Sequence, residues 1–329
     1  MSGSSLHDDP PRSRWSLVRA VLGVVSAVFL LVGVLGIGAH YSPLVSNWGA
    51  RIAAFSPLLM AASGIGLLCA LLGRRWILAV AGVVVVLVSV FTQAPLYFGS
   101  APGGPGQLQL MQANIWLGNA DVGAVARTVR ERDVDVLTVS ELTDEALERI
   151  SATDLKQSLP YSFVNPRPGG GGIGLFSKYP LSEAKVLDHF MLSNARAVAV
   201  IPGHGRYAVY ALHPVPPYPA AAWHWASELR RLGDMIGAER LPVLIGGDFN
   251  AGYDHSQLRA LLTDEHPGLL DAAEHTGSGI VATYPANRAF PALLAIDRVM
   301  TRNGPESVKF GRVPIPGSDH HGVIASIRL

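Results

Sequence analysis

The stretch Leu244-Ile-Gly-Gly-Asp-Phe-Asn250 is an apolar, strand-like run that ends in two polar residues, Asp248 and Asn250. About seventy residues further along, Gly317-Ser-Asp-His-His-Gly-Val323 places a second polar cluster directly before another apolar run. An acid and an amide at a strand end, combined with a distant Asp-His pair, are the groups that a Mg²⁺-dependent phosphoryl hydrolase uses. Only a fold can bring the two segments together, so their pairing is the central feature of the sequence.

Three uncharged apolar runs occupy the N-terminal part of the chain, at Ala20–Ala39, Ile52–Leu72 and Trp76–Tyr97. Each approaches or exceeds the ~20 residues with which a helix crosses a bilayer. A signal peptide has one short apolar region and a cleavage site, so it does not explain three runs in tandem. The sequence therefore predicts a cytoplasmic N-terminus over 1–19 and an anchor of three transmembrane helices over 20–97.

The arginines that flank these runs predict the orientation, because positive charge accumulates on the cytoplasmic side of a membrane protein. The first run is preceded by Arg12, Arg14 and Arg19. The link between the second and third runs contains Arg74 and Arg75, and the remaining loop contains Arg51. A multi-pass protein of the cell membrane is expected, with everything after Tyr97 outside the cytoplasm.

The charge of the outer part argues against a nucleic-acid partner. The chain has 26 basic and 25 acidic residues, and six arginines and two aspartates precede residue 76, which leaves 20 basic and 23 acidic residues after it. Proteins that grip a nucleic-acid backbone usually carry a positive footprint, which a formal charge of −3 does not supply. The one cysteine, Cys69, lies in an apolar run, so the outer domain has no disulfide.

Beyond a Gly- and Pro-rich linker over 98–107, strand-like runs alternate with helical patterns over 108–329. Helices are predicted after the capping residues Asp121 and Asp144 and over Ala220–Arg240. The predicted strands are Leu108–Trp116, Asp135–Ser140, Ile173–Ser177, Ala197–Ile201, Tyr207–Leu212, Pro242–Gly246, Ala295–Met300 and Val323–Ile327. Hairpin-like strands mixed with strand–helix units predict a layered α/β sandwich.

Polar residues recur where these strands end, which is a common way to place side chains at the rim of a sheet. They are Asn114, Glu141, His213, Asp248, Asn250, Asp297, Asp319 and His320. Taken singly, Glu141 and Asp297 also fit solvated strand ends, and His213 also fits a structural histidine. Their occurrence in this order favours a single site.

This order resembles the endonuclease/exonuclease/phosphatase superfamily, which includes DNase I-like nucleases, inositol-polyphosphate 5-phosphatases and bacterial sphingomyelinases. The resemblance covers about 108–329. The matching pieces are Gln-Ala-Asn114, Ser-Glu141, Gly172-Ile-Gly-Leu-Phe-Ser177-Lys-Tyr-Pro-Leu181, Leu-His213, Gly-Gly-Asp248-Phe-Asn250, Thr283-Tyr-Pro285, Ile-Asp297 and Ser-Asp319-His320. The resemblance implies a four-layered, DNase I-like α/β sandwich.

The resemblance also implies roles for the site residues. Glu141 would be the principal ligand of Mg²⁺, or of Mn²⁺ as the alternative metal, with Asn114 and Asp319 completing the metal shell. Asp248 would align or deprotonate the attacking water, and Asn250 and His213 would bind the phosphoryl oxygens. His320 would stabilise the developing negative charge, and Asp297 would orient the His320 ring. These assignments agree with the preference of hard cations for oxygen ligands. They also agree with the way enzymes catalyse phosphoryl transfer, which is mainly by positioning the reacting groups and neutralising their charge.

Two features depart from the family pattern or from a related motif. Relatives usually have proline two residues after the Asp-His pair, where this chain has His321-Gly322, so which imidazole faces the phosphate stays open. The Gly169–Gly172 run lacks the Lys-Ser/Thr of a phosphate-binding loop, so it is interpreted as a flexible turn into a strand.

The expected function is a membrane-anchored phosphatase or phosphodiesterase that acts outside the cytoplasm on a lipid-linked phosphate or pyrophosphate of the cell envelope. Its partners would be this substrate and membrane lipid. The anchored architecture resembles actinobacterial envelope proteins of teicoplanin resistance. An exported Mg²⁺-dependent nuclease is the alternative enzyme, and an inactive envelope-binding or sensing protein is the alternative of another class.

Overall fold

The computed structural model describes residues 14–262 and 268–329, which fall into two compact units. One unit contains residues up to His40 together with Phe55–Gln93, and the other contains Tyr41–Ala54 together with Ala94–Leu329. Most of the predicted cytoplasmic N-terminus, including Arg12, lies outside the described residues.

The apolar region forms four helices, α1 (Arg14–Tyr41), α2 (Asn47–Ala54), α3 (Ser56–Leu72) and α4 (Trp76–Gln93). Two stretches, Trp15–Tyr41 and Trp76–Leu96, are long and apolar enough to cross a bilayer, and α2 with α3 makes a third only if the bent pair counts as one span. The second predicted run is therefore wrong as one straight helix, because the chain bends by 57° between α2 and α3. Pro57 is the second residue of α3 and has no backbone N–H to donate to a preceding turn, which explains the break.

Small residues let the helices of the first unit pack closely. A Cβ on Gly36 of α1 would lie 2.9 Å from the backbone nitrogen of Met60, and one on Gly82 of α4 would lie 3.2 Å from the Cα of Leu67. Close backbone approach through glycine is typical of helices that associate in a membrane, where burial of apolar surface gives no advantage.

The second unit contains two six-stranded sheets with helices on their outer faces. The first sheet has the order β11-β12-β1-β2-β4-β3 and the second has the order β5-β6-β7-β8-β10-β9. The strands are β1 Leu108–Asn114, β2 Val136–Ser140, β3 Tyr161–Asn165, β4 Ile173–Ser177, β5 Leu181–Val186, β6 Ala195–Ile201, β7 Gly205–Leu212, β8 Val243–Asp248, β9 Leu270–Asp271, β10 Asp297–Arg302, β11 Glu306–Val313 and β12 Gly322–Arg328. The helices of this part are α5 Val122–Glu131, α6 Asp144–Ser151, α7 Leu155–Ser158, α8 Ala222–Ala238, α9 Ser256–Leu262 and α10 Ala272–Thr276.

Alternation along the central strands divides the core into three layers, because successive strand residues point to opposite faces. Leu110 of β1 and Leu244 of β8 lie in the cluster that packs the two sheets together. Met111 packs under the helices of the first sheet, and Ile245 packs under α8 and α9 on the second. The result is a helix–sheet–sheet–helix sandwich, which confirms the predicted layered α/β fold.

The differences from the predicted elements have local causes. Asp121 caps α5 as predicted and accepts from the backbone N–H of Ala124 at 3.0 Å. The cap of α6 is Thr143, not Asp144, which is the first helical residue. Strand β5 was not predicted because its four central residues are exposed and show no alternation of apolar and polar side chains. The Gly169–Gly172 run forms a turn that leads into β4, as predicted.

The segment Tyr41–Ala54, which connects the first apolar helix to α3, packs on the sandwich as part of the second unit. Ser256 Oγ donates to the carbonyl oxygen of Ser42 at 2.8 Å, and His255 Nε2 lies 2.9 Å from the carbonyl oxygen of Ala50. The predicted linker is docked as well, because the backbone N–H groups of Ser100 and Ala101 both donate to the His275 carbonyl.

Replacing Asn47 by alanine is expected to lower the free energy of unfolding by about 1 kcal/mol, the usual value of a helix N-cap. Helix α8 begins after Ala221, which offers no capping side chain. Asn47 supplies the cap from a distance, since its Oδ1 accepts from the N–H of Ala222 at 3.1 Å and its Nδ2 donates to the carbonyl of Ala220 at 2.9 Å. Denaturant unfolding in detergent measures the change. Asn47→Asp keeps the acceptor and should lose less, whereas unchanged stability in Asn47→Ala would contradict the docking.

Candidate active site

The polar strand ends converge because parallel neighbours end at the same edge of a sheet. In the first sheet β1 and β2 are parallel, with Asn114 opposite Ser140 and Glu141 one residue further on. In the second sheet β7 and β8 are parallel, and β10 pairs with β8 so that Asp297 lies opposite Asp248. A hydrogen bond of 3.0 Å from Asn114 Nδ2 to Asp248 Oδ2 joins the two edges.

The buried amide of Asn114 connects both carboxylates. Its Nδ2 donates to Glu141 Oε1 and to Asp248 Oδ2, each at 3.0 Å. Its Oδ1 accepts from the backbone N–H of Trp116 at 2.9 Å, and this donor fixes which way the amide points. Asn114 therefore presents its NH₂ group to the carboxylates, and its role as a metal ligand, which needs the oxygen, stays a prediction.

Asp297 and His320 form a buried pair in which His320 Nδ1 lies 2.8 Å from Asp297 Oδ2. Burial alone lowers the pKa of His320, but the charges of Asp297 and Asp248 and the hydrogen bond to Asp297 outweigh it and raise the pKa to about 10. The carboxylate fixes the orientation of the ring, which leaves His320 Nε2 free to face Asp248 Oδ2 at 3.8 Å. The pair thus places a cationic ring edge beside Asp248.

Asp248 lies at the centre of the site with its carboxylate almost fully buried. Its Oδ1 accepts from the backbone N–H of Asn250 at 2.9 Å, and its Oδ2 lies 3.8 Å from His213 Nε2. Burial and the charge of Asp297 raise the pKa of Asp248, against the opposing charges of His320 and His213. A carboxylate with a raised pKa is a better proton acceptor than an ordinary aspartate.

His213 and Asn250 lie on the loops that follow β7 and β8. His213 Nδ1 is buried and has no hydrogen-bond partner among the described residues. Asn250 has a positive φ of 50° and donates through Nδ2 to the carbonyl of Pro214 at 3.1 Å. Glu228 of α8 holds the same loop by accepting from the N–H of Val215 at 2.8 Å. Both predicted residues lie beside Asp248, with His213 Nε2 facing it, and their binding of phosphoryl oxygens stays a prediction.

The C-terminal loop holds the two adjacent histidines differently. Ser318 Oγ donates to the carbonyl of Asn114 at 2.8 Å and accepts from the N–H of His320 at 3.0 Å, which fixes the loop against β1. The backbone N–H of His321 instead donates to the carbonyl of Thr283 at 2.8 Å. The ring of His320 faces the two aspartates, which favours His320, and its contact with the phosphate stays a prediction.

The model of the endonuclease/exonuclease/phosphatase family matches residues 111–320, more than half of the chain. The chain belongs to this family. Members of the endonuclease/exonuclease/phosphatase family are generally metal-dependent hydrolases of phosphoesters, and the matched range contains every predicted site residue. No curated protein matches the chain.

Solved structures show the same sandwich. A humanized TDP2 of D. rerio is 14% identical with a TM-score of 0.56, and the match covers 68% of this chain and 99% of that chain. A family protein from Beutenbergia cavernae is 18% identical with a TM-score of 0.53, covering 68% and 71%. Another from Bacteroides vulgatus is 16% identical with a TM-score of 0.51, covering 68% and 98%. At these identities the similarity shows the fold alone.

The residues around Asp319 fit the divalent metal that this family generally uses. Asp319 Oδ1 is buried and has no hydrogen-bond partner in the described part of the chain. Burial raises the pKa of Asp319 to about 6, with the charges of Glu141 and Asp248 adding to the rise and that of His320 opposing it. A cation between Glu141 and Asp319 would satisfy the bare oxygen and relieve the repulsion between the carboxylates.

A second grouping within the described residues also has the geometry of a metal site. One ligand atom each of Asp248, Asp297 and His320 lies within 4.8 Å of the others. Two of these residues already bind each other through His320 Nδ1 and Asp297 Oδ2, which leaves fewer free ligand atoms for a cation. This grouping is better explained as the proton-transfer part of the site, with the metal on the side of Glu141 and Asp319.

The sequence assigned no role to several residues that support the site. The ring of Tyr284 lies 4.8 Å from that of His320, and Thr138 Oγ1 donates to Gln112 Oε1 at 2.5 Å beneath the strand ends. Trp116 and Leu117 adopt positive φ values of 45° and 51°, and the N–H of Leu117 donates to Glu141 Oε2 at 2.6 Å. Only their proximity in sequence to Asn114 could have indicated these last two residues.

Proposed function

We propose that this protein is a membrane-anchored, Mg²⁺-dependent phosphatase or phosphodiesterase that hydrolyses a lipid-linked phosphate or pyrophosphate outside the cytoplasm. The observation that carries the proposal is the convergence of Glu141 and Asp319 with Asp248 and the Asp297–His320 pair at one rim of the sandwich. The set provides oxygen ligands, a proton acceptor and a cationic group, which are the parts that phosphoryl transfer needs.

The chemistry of the protein groups follows from their geometry. Mg²⁺, when bound at Glu141 and Asp319, would neutralise charge on the phosphoryl oxygens. Asp248 accepts a proton from the attacking water as the new oxygen–phosphorus bond forms and the bond to the leaving oxygen breaks. His320 places its positive charge where negative charge develops, and Asp297 prevents the ring from turning away. His213, through the Nε2 that faces Asp248, and Asn250 would hold phosphoryl oxygens.

Chain topology supports a site outside the cytoplasm. Tyr41–Ala54 and Ala94–Leu329 form one compact unit, so both segments must lie on the same side of a bilayer. The chain between them contains α3 and α4, which would then cross as a pair, with α3 crossing without α2. Helix α3 has 17 residues, about 26 Å at 1.5 Å per residue, close to the ~30 Å of a hydrocarbon core. With α1 as a third crossing, three crossings in all would put the two ends of the chain on opposite sides of the membrane.

A fusion experiment tests this topology. An alkaline phosphatase fused after Leu329 should be active in a bacterial host, because the arginines favour a cytoplasmic N-terminus and three crossings put the C-terminus outside. A fluorescent reporter that folds only in the cytoplasm should stay dark at the same position. The reverse pattern would contradict the topology and the lipid-substrate argument that depends on it.

An anchored site favours a substrate that is also in the membrane. Confining both to one surface raises their effective concentration, and a soluble substrate gains nothing comparable. Aromatic and apolar side chains are exposed where the chain adjoins the candidate spans, with Trp48 71% and Phe98 82% exposed. Aromatic residues concentrate at membrane interfaces, which supports an anchor that holds the catalytic unit at the lipid surface.

Glu141→Gln is expected to raise the Mg²⁺ concentration for half-maximal activity by about tenfold or more, because it removes one negative charge from the proposed ligands. Excess Mg²⁺ should restore part of the activity. A Mg²⁺ titration of phosphate release measures the shift. Glu145→Gln, at an exposed position on α6, is the matched control. An unshifted midpoint with Glu141→Gln would remove Glu141 from the metal site.

Two other functions remain as alternatives. A solved TDP2 of D. rerio, 15% identical with a TM-score of 0.55, holds a single-strand DNA product, which is the observation that favours an exported nuclease. The excess of acidic over basic residues in the outer domain argues against a nuclease. An inactive envelope-binding or sensing protein would not need the intact Asp297–His320 pair. The anchored architecture also resembles the VanJ group of actinobacterial proteins, so a role in teicoplanin-type resistance belongs to this proposal and is testable by deletion.

A further inference from the structure

A strained turn presents Trp116 at the rim of the site. Trp116, Leu117 and Gly118 have consecutive positive φ values of 45°, 51° and 79°, a conformation that bulky side chains rarely adopt. Hydrogen bonds fix it, since the N–H of Trp116 donates to Asn114 Oδ1 and that of Leu117 donates to Glu141 Oε2. The Trp116 side chain remains 36% exposed. A strained backbone held by the site residues themselves indicates that the position of this indole matters.

The indole lines a groove of about 310 Å³ whose other walls include Pro314, Ile315, Pro316 and Ala286. Ser318 and His321, which flank Asp319 and His320 in the sequence, also line the groove, so it lies next to the site. The groove is attached to the site by short contacts, because Ser318 Oγ donates to the carbonyl of Asn114 and the N–H of Ala286 donates to the carbonyl of Asp319 at 2.6 Å. A chain bonded to a phosphate at the site would therefore have this apolar surface beside it.

We propose that this groove binds the apolar chain of the substrate next to its phosphate, with Trp116 as the specificity-determining residue. The inference rests on the proposed function and adds the substrate class, a phosphate or pyrophosphate ester of an alcohol with an apolar chain, which an isoprenoid alcohol represents in the test below. Proline, isoleucine, alanine and indole surfaces bind such a chain by excluding water.

The lining favours a lipid chain over a nucleic acid. In the described part of the chain, the groove is lined by no lysine, arginine, aspartate or glutamate. Proteins that bind single strands combine stacking aromatics with a positively charged track for the phosphates. Here Trp116 is grouped mainly with proline, isoleucine and alanine, and the polar residues of the lining, Asn287, Ser318 and His321, form no such track, so a chain without charges is the occupant that fits.

The test compares two allylic pyrophosphates that share a head group and differ by one isoprene unit. Full-length protein in detergent with Mg²⁺ should prefer geranyl over dimethylallyl pyrophosphate in kcat/KM. Trp116→Ala should reduce this preference about tenfold, a usual effect of losing apolar contacts to part of a substrate. Trp116→Phe should restore most of it. Trp223→Ala, a control at an exposed tryptophan on α8, should leave the preference unchanged. An unaltered preference in Trp116→Ala would overturn the assignment.

A second measurement does not depend on turnover. The full-length Asp248→Asn variant is irradiated with Mg²⁺ and a geranyl pyrophosphate that carries a diazirine at the end of its chain, and the labelled peptides are identified. Label on Trp116 or within 314–321 supports the groove. Label confined to other peptides overturns it, whether or not the wild type hydrolyses either substrate. Hydrolysis of neither pyrophosphate by the wild type, with label in the groove, would instead refute the proposed reaction and retain the binding site.

Discussion

Asp248→Asn is expected to lower kcat about a thousandfold, within the range for loss of a positioned general base. The asparagine keeps the shape of the side chain and can still accept from the N–H of Asn250, a contact of 2.9 Å in the native protein. It cannot take a proton from water. Phosphate release by the purified full-length protein measures the change, and Asp234→Asn on the exposed face of α8 is the matched control.

The same variant separates the proton acceptor from the metal ligands. Calorimetric titration should show that Asp248→Asn binds Mg²⁺ nearly as tightly as the wild type, whereas Glu141→Gln binds it more weakly. Asp248 is engaged by Asn114 Nδ2 and the N–H of Asn250, and the bare carboxylate oxygen belongs to Asp319. If Asp248→Asn loses metal as severely as Glu141→Gln, the division of roles is wrong even though the site is correctly located.

His320→Ala is expected to reduce kcat by about a hundredfold or more, because it removes a positioned positive charge from a buried site. Asp297→Asn should lower kcat by a smaller factor, because the imidazole remains and loses only the carboxylate that lies 2.8 Å from its Nδ1. Single-turnover measurements of both variants at saturating Mg²⁺ provide the comparison.

Two further variants test whether Asp297 and His320 act as one unit. The double variant should be little worse than His320→Ala alone, because residues that act together are not additive. His321→Ala is the neighbouring comparison, and because His321 lines the groove and its backbone contacts Thr283, its loss should lower kcat far less than His320→Ala does. A severe loss at His321 with a mild loss at His320 would move the catalytic role to His321.

Much of the catalytic fold could be predicted because its signals are local. The alternation that divides Leu110 from Met111, and Leu244 from Ile245, sets the two faces of each sheet and is visible in the sequence. The polar residues that end these strands are visible too. Parallel pairing of neighbouring strands then brings these polar residues to one edge of the sheet, so their positions in the sequence were enough to predict that they form a site.

The remaining features depend on contacts that sequence position does not reveal. The direction of the Asn114 amide is set by the N–H of Trp116, which belongs to a turn with positive φ values. The docking of Asn47 on α8 joins residues 175 positions apart. Strand β5 gave no pattern because its centre is exposed on both faces. These are long-range or conformational effects, which apolar periodicity does not report.

The most direct test of the proposed function is phosphate release by the full-length protein in detergent with Mg²⁺, from a panel of a polyprenyl pyrophosphate, a phospholipid, a sugar phosphate and DNA. The account predicts the fastest release from the polyprenyl pyrophosphate, abolished by a chelator and by Asp248→Asn. Cleavage of DNA in preference to the lipid-linked substrates would contradict it and establish the nuclease alternative. Tight Mg²⁺ binding without hydrolysis of any substrate would contradict it as well and favour a binding or sensing protein.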